Sequence, residues 1–223
     1  MRQQLSVVIP AWRAEKYIAQ ASGSVREQNW PGELEIIVCD DGSDDATAQI
    51  ARDLGVTVLE KAQGGAASAR NEGLRAATGD FVLLLDADDR LTPGALAALF
   101  EPMAGRAELL AVFGRAEDFL SEELTPEQKA ALKPRTGSYG GVLPGCCLMR
   151  KEVFEQIGLF DESLKSGETV AWQMKLRDAG LQTAQVDVVT LQRRLHLTNT
   201  GRLFAKREMA DYAALLRKRM RKT

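Results

Sequence analysis

Long apolar runs are missing from this 223-residue chain: the longest, Ala95–Phe100, is six residues, against roughly 20 for a membrane-spanning helix. The opening MRQQLSVVIP carries too short an apolar stretch, ended by proline, for a secretory h-region, so a cytoplasmic protein is expected. Cysteine is scarce and odd in number, three residues with Cys146 and Cys147 adjacent, which excludes a disulfide framework and reads as reduced thiols. No histidine stands near Cys39, Cys146 or Cys147 to make a zinc set or a Cys–His nucleophile, so these are expected to be small core residues. Strong net charge is absent too, at −2, which argues against nucleic acid as a partner. No repeat and no Gly/Ser linker appears, and one domain is expected over 1–201.

The composition, 45% hydrophobic and 27% charged, is that of an ordinary globular chain able to bury a full core. Charge is unevenly spread. Residues 202–223 hold eight basic side chains against Glu208 and Asp211, a surplus of six, which leaves −8 on the rest. This tail, LFAKREMADYAALLRKRMRKT, sets Leu203, Met209, Tyr212, Ala213, Leu216 and Met220 near one helical stripe. A basic amphipathic C-terminal helix is expected, packed on the body, with its RKRMRK end touching lipid headgroups as a peripheral membrane contact.

Short apolar runs at Leu5–Pro10, Leu34–Asp40, Val56–Leu59 and Phe81–Asp86 have strand length. Amphipathic stretches at 14–28, 44–54 and 66–77 separate them, the second with Ser43 or Asp44 in capping position. Alternation of strand and helix with near-continuous apolar strands predicts an α/β, doubly wound, mainly parallel sheet with helices on both faces. The second half is less regular. Helices are expected at 93–103, from Lys151 to Gly158 and over Glu168–Ala179, and strands at Glu108–Phe119, Val142–Arg150 and Thr183–Leu191. Residues 121–141 read as a surface excursion.

In such a sheet, ligands bind outside the carboxyl ends of the strands, where strand order switches. Three strands end in polar or unusual groups: Pro10-Ala11-Trp12, Asp40-Asp41-Gly42-Ser43 and Asp86-Ala87-Asp88-Asp89. Two acidic clusters on one rim repel each other unless a cation or ligand donors offset them. Asp86 and Asp88, one residue apart past a buried strand, suit Mg²⁺ or Mn²⁺, which take a few carboxylates plus ligand phosphates. Asp40-Asp41 could accept from a base N–H, with Gly42 allowing close approach, or could form a turn and cap. Arg70 has the fork geometry that suits phosphate, and Asn71 beside it stays open between structural and ligand-facing roles.

SVVIPAW, IIVCDDGSDDAT and GGAASARNEGLRAATGDFVLLLDADDRLTPGAL, in this order over about residues 5–100, resemble the family 2 glycosyltransferases of the GT-A fold. The resemblance implies a nucleotide-sugar-binding half over 1–100 and an acceptor-side half over 101–201. It implies that Pro10, Ala11 and Trp12 line the nucleoside and that Asp40 or Asp41 reads the base, with Gln63 nearby. Arg70 would lie along the diphosphate or sugar, and Asp86 and Ala87 would face the ribose or sugar. Asp88 would hold Mn²⁺ or Mg²⁺, joined by His196, which lies in a segment resembling the family's Arg-x-His.

Where relatives carry Glu-Asp at a helix start, with Asp as the general base, this chain has Glu168-Thr169, so the nearest carboxylate for the role is Glu168. The implied activity is metal-dependent, inverting transfer from a UDP-sugar to a hydroxyl on a glycan, lipid-linked saccharide, peptide or small molecule. Two alternatives stay open: a nucleotide-sugar-binding protein impaired by Thr169, and a nucleotidyltransferase.

Overall fold

The computed structural model describes residues 3–140, 143–164 and 167–199. The β-branched and leucine-rich runs form β1 (Gln4–Ala11), and after helix α1 (Ile18–Arg26) come β2 (Glu33–Asp40), α2 (Thr47–Asp53) and β3 (Thr57–Glu60). Helix α3 (Ala66–Ala76) leads to β4 (Phe81–Leu84), two-residue β5 (Arg90–Leu91) and α4 (Ala95–Phe100). The later elements are β6 (Ala111–Leu120), α5 (Pro126–Ala131), β7 (Tyr139–Gly140), β8 (Cys147–Arg150), α6 (Glu152–Ile157), α7 (Glu168–Asp178) and β9 (Thr183–Leu195).

These strands join one sheet in the order β3-β2-β1-β4-β8-β6-β9-β5, with β7 added beside β6. β1 runs parallel to β2 and β4, and β2 parallel to β3. The chain thus moves outward from β1 to β3 and returns on the other side to β4, so the switch in strand order lies between β1 and β4. Beyond β4 the sheet becomes mixed. β8 is antiparallel to both β4 and β6, β5 is antiparallel to β9, and β6 and β9 are parallel with register shifts near Arg115. The α/β sheet covered on both faces is as expected from sequence, and every antiparallel pair involves a strand of the second half.

Alternate side chains of the parallel strands go to opposite faces. Val7, Ile9, Val38 and Leu83 pack with Ile18, Ala21 and Val25 of α1 and Leu96 and Leu99 of α4. Val8, Ile37, Cys39, Val82 and Leu84 pack with Ala67, Ala69 and Leu74 of α3 and Trp172 and Leu176 of α7. Each of the valines, isoleucines and leucines contributes about 1.5–3 kcal/mol on burial. Gly73 sets the approach of α3, because a Cβ there would lie 2.3 Å from Val8 Cγ1 and 2.7 Å from Cys39 Sγ. All three cysteines are buried, as expected of core residues.

Two local expectations are corrected. α2 is capped by neither Ser43 nor Asp44: Ala46 precedes it without a side-chain cap, because Ser43 is bonded to Asp40 and Asp44 to Arg13. The 121–141 stretch is more than a loop. Thr125 and Gln128 form a reciprocal capping box that starts α5, and the flanking Leu124 and Leu132 are buried with Leu195. The expected helix at 202–223 lies outside the described residues.

Candidate active site

The carboxyl ends of β1 and β2 meet first. Asp41 N–H donates to the carbonyl of Ala11 (2.8 Å), which places Trp12 beside the acidic turn. Gly42 has φ +74°, and a Cβ on it would come within 3.1 Å of Gln63 N and 3.2 Å of Lys61 O, so glycine suits both the conformation and the space. Asp40 accepts from the hydroxyl and the N–H of Ser43. Asp41 accepts from Lys61 Nζ (2.8 Å), Gly64 N (2.9 Å) and Gly65 N (2.7 Å), tying the turn to the loop that carries exposed Gln63. Both carboxylates are buried, Ala11 is buried, Pro10 is half-buried, and Trp12 stands 48% exposed. Of the pair, Asp40 carries fewer bonds from the chain, which leaves it freer to take a ligand donor.

The end of β4 lies against β1, with Leu85 N–H donating to Val8 O (3.0 Å), and carries the second acidic cluster. Asp88 Oδ2 lies 2.8 Å from His196 Nε2 and accepts from Asn199 Nδ2 (3.2 Å). His196 Nδ1 faces Thr198 Oγ1 at 2.9 Å, and its ring packs on that of Tyr17 at 4.9 Å between centroids. Asp89 is buried beneath and accepts from Arg194 N (2.9 Å). Burial, reinforced by Asp88 and Asp86, pushes its carboxyl well above the usual range. Arg194 braces the same turn, its Nε donating to Asp88 O at 2.8 Å, with its guanidinium over the rings of Tyr17 and Phe119. Ala87 is buried between the two outer aspartates.

Arg70, on the inner face of α3, links this cluster to the second half of the chain. Its Nη2 donates to Asp86 Oδ1 (2.8 Å) and its Nη1 to Glu168 Oε1 (2.7 Å) at the start of α7. Burial opposes the guanidinium charge, but Asp86 and Glu168 outweigh it and raise the pKa. Its Nε is buried without a hydrogen-bond partner. Asn71, left open by sequence, is structural. It donates to Phe160 O and Glu162 Oε1 and accepts from Phe160 N, holding the 160–162 segment on α3.

The expected residues therefore fall into two neighbouring groups: Pro10, Ala11, Trp12, Asp40, Asp41 and Gln63 around the β1 and β2 ends, and Arg70, Asp86, Ala87, Asp88, Glu168 and His196 around the β4 end. Sequence reasoning missed Tyr17, Arg194, Thr198 and Asn199. Arg194 and Asn199 flank His196 closely enough to have been suspected, whereas nothing in the local sequence marks Tyr17.

The donor chemistry fits a divalent cation. Asp88 and His196 bring a carboxylate oxygen and an imidazole nitrogen together, a set that Mn²⁺ or Mg²⁺ can use, and Thr198 orients the ring from behind as outer partners of metal-bound histidines do. Among the described residues no group of three or more His, Cys, Asp or Glu side chains is placed to hold a metal, so the remaining positions would fall to ligand oxygens and water. Asp86, turned toward Arg70, is outside this pair.

A doubly wound half with acidic strand ends, continued by a mixed half, is the GT-A arrangement, and solved structures share it. Staphylococcus aureus TarS 1-349 in complex with UDP-GlcNAc matches with a TM-score of 0.69 at 24% identity, over 89% of this chain and 60% of that one. GalNAc-T7 with UDP, GalNAc and Mn²⁺ matches with a TM-score of 0.70 at 19% identity, over 88% of this chain and 45% of that one. The sequence is 40% identical over 93 residues (39% of this chain) to the poly(ribitol-phosphate) β-N-acetylglucosaminyltransferase TarS of S. aureus. It is also 26% identical over 181 residues (70% of this chain) to the glycosyltransferase GlyG of Streptococcus pneumoniae serotype 4. The chain spans 16% of the length of TarS and 60% of GlyG. The family described as glycosyl transferase family 2 matches residues 6–158, and the chain belongs to that family.

Proposed function

We propose that this protein is an inverting glycosyltransferase that moves a sugar from a UDP-sugar to an acceptor hydroxyl. The observation that carries the reading is the convergence of Asp86, Asp88, Arg70, Glu168 and His196 at the β4 end, through contacts between residues up to 108 positions apart. The relatives' own ligands, UDP, UDP-GlcNAc and Mn²⁺, support the choice of nucleotide and ion.

Trp12, with Pro10 and Ala11, lines the nucleoside, and Asp40 or Asp41 accepts from the base beside Gln63. Asp88 and His196 hold the divalent ion, which when bound supplies positive charge to the leaving diphosphate. Arg70 keeps a fixed cation beside Asp86 and Ala87, next to the departing phosphates, and needs no reorganisation as charge develops. The acceptor hydroxyl attacks the anomeric carbon opposite the leaving group, through an oxocarbenium-like centre. Glu168 accepts the hydroxyl proton as general base, and its bond to Arg70 fixes where that carboxylate sits. Loss of the leaving diphosphate and proton transfer to Glu168 balance the charge of the step.

Acceptor classes in keeping with the family range from glycans and lipid-linked saccharides to peptides and small molecules. No helix among the described residues is long and apolar enough to cross a membrane. The +6 tail at 202–223 would add peripheral contact with anionic lipid, and equal retention on anionic and neutral vesicles would refute that part.

The test is hydrolysis and binding of UDP-, GDP- and dTDP-sugars with and without Mn²⁺. Metal-dependent hydrolysis of one UDP-sugar is expected. Absence of nucleotide binding throughout the panel would overturn the reading.

A further inference from the structure

The loop after β1 contains the one positive-φ residue other than glycine among the described residues, Arg13 at φ +49°. An arginine in the left-handed region is strained by its Cβ, so something must hold it there. Three consecutive N–H groups stitch this loop to the start of α2 and the segment before it. Arg13 N donates to Ser43 Oγ (2.9 Å), Ala14 N to Thr47 Oγ1 (2.7 Å) and Glu15 N to Asp45 Oδ2 (3.3 Å). The hydroxyl of Ser43 in turn donates to Asp40, so the Arg13 backbone is coupled directly to the acidic turn.

The side chain adds a second tether. Nε and Nη2 of Arg13 form a bidentate pair with the two oxygens of Asp44, at 2.6 and 2.7 Å. The guanidinium then lies over the Trp12 ring, 4.9 Å from its centroid. An indole has two faces, and one of them is covered by this planar cation while the ring stays 48% exposed.

A freely rotating surface tryptophan loses rotamer freedom when a base stacks on it. A ring already backed by a fixed guanidinium loses less. The strained backbone puts Arg13 where Asp44 can be reached, and glycine, which takes this φ without strain, could not supply the tether.

We infer that Arg13 is a positioning residue for nucleoside binding: its fork, locked on Asp44, backs the Trp12 ring and fixes it as a stacking surface. The inference rests on the proposed reading in which Trp12 lines the nucleoside.

The experiment is calorimetric titration of UDP at saturating Mn²⁺, with melting temperatures recorded, for wild type and the variants Arg13→Gly, Asp44→Asn, Arg13→Gly/Asp44→Asn and Trp12→Ala. Arg13→Gly relieves strain, so its melting temperature should hold or rise while UDP affinity falls about two- to tenfold, the scale of an exposed cation–π contact and a bidentate surface pair. Asp44→Asn should fall similarly, and the double variant no further, because one device has been removed twice. About 1 M salt should narrow the gap between wild type and Arg13→Gly, since exposed pairs are screened there.

A purely structural Arg13 would instead lower stability in step with affinity. Wild-type affinity in Arg13→Gly alongside weakened binding in Trp12→Ala overturns the inference alone. Unchanged affinity in Trp12→Ala overturns the nucleoside assignment and the inference together.

Discussion

Up to Phe100, every candidate site residue lies at the carboxyl end of a parallel strand, in the loop following one, or on the helix packed beside them. After Phe100 the site receives scattered side chains, Glu168 at the start of α7 and the Arg194–Asn199 group across the end of β9. The two regions are built differently because a parallel strand buried on both faces aims its end at one rim. The mixed region beyond β4 can reach that rim only where an element happens to terminate there. The first region therefore builds its part of the rim from contiguous motifs, and the second joins it through contacts about 100 residues apart in sequence.

Breaking the link between the regions should have the largest effect. Glu168→Gln is expected to lower kcat by about 10²–10⁴-fold, the usual contribution of a general base, with UDP affinity within a few-fold. Steady-state kinetics beside a UDP titration would check this, and an unchanged kcat would remove Glu168 from the chemistry. Arg70→Met leaves Asp86 and Glu168 without their shared buried cation. It is expected to cost about 3–5 kcal/mol of stability, measured by urea unfolding, and a cost under about 1 kcal/mol would show that the pairing is incidental.

Glycine substitutions sharpen the contrast within the first region. Gly73→Ala forces a Cβ against Val8 and Cys39 and should destabilise by about 1–3 kcal/mol. Gly23→Ala, in α1 with nothing within 4 Å of the added Cβ, should stabilise by about 0.5–1 kcal/mol. Thermal melts that shift the same way for both would refute the close α3 contact.

The smaller effects concern the bridge from Tyr17 to Glu123. Burial works to raise the Glu123 carboxyl, but hydrogen bonds from Ser121 and Tyr17 prevail and hold it at about 2, below its ordinary 4.5. A depressed carboxylate contributes stability fully present above pH 4.5 and lost as pH falls toward 2. Glu123→Gln should therefore flatten the acid limb of the stability curve, and an unaltered limb would contradict the assignment. The thiols mark the core on both sides of the divide. Burial pushes Cys39 and Cys146 up to about 12 and raises Cys147 well above the ordinary thiol value. A thiol reagent should react with none of the three until the protein unfolds; a fast native reaction would place one of them at the surface.

How much of this was legible follows the same divide. β1 to β4, α3 and the three strand-end motifs could be read from apolar runs and turn residues, since burial on two faces leaves an unbroken signature. β9 runs to Leu195 and delivers His196 to the rim, although its outer half alternates weakly and predicted an earlier end. α5 escaped notice because its capping box, Thr125 with Gln128, sits among prolines and charges that suggest a loop. Tyr17 packs on His196 in a contact that no local pattern encodes. The Glu168–Arg70 bond spans 98 residues, so sequence offered only a carboxylate at a helix start.

The most direct test of the account is the Mn²⁺ dependence of UDP binding in wild type, Asp88→Ala and His196→Ala, by calorimetric titration on protein checked for unchanged melting. The account predicts that Mn²⁺ tightens UDP binding in wild type, that the gain vanishes in Asp88→Ala, and that it is reduced in His196→Ala. The same Mn²⁺-dependent gain in Asp88→Ala as in wild type would contradict it.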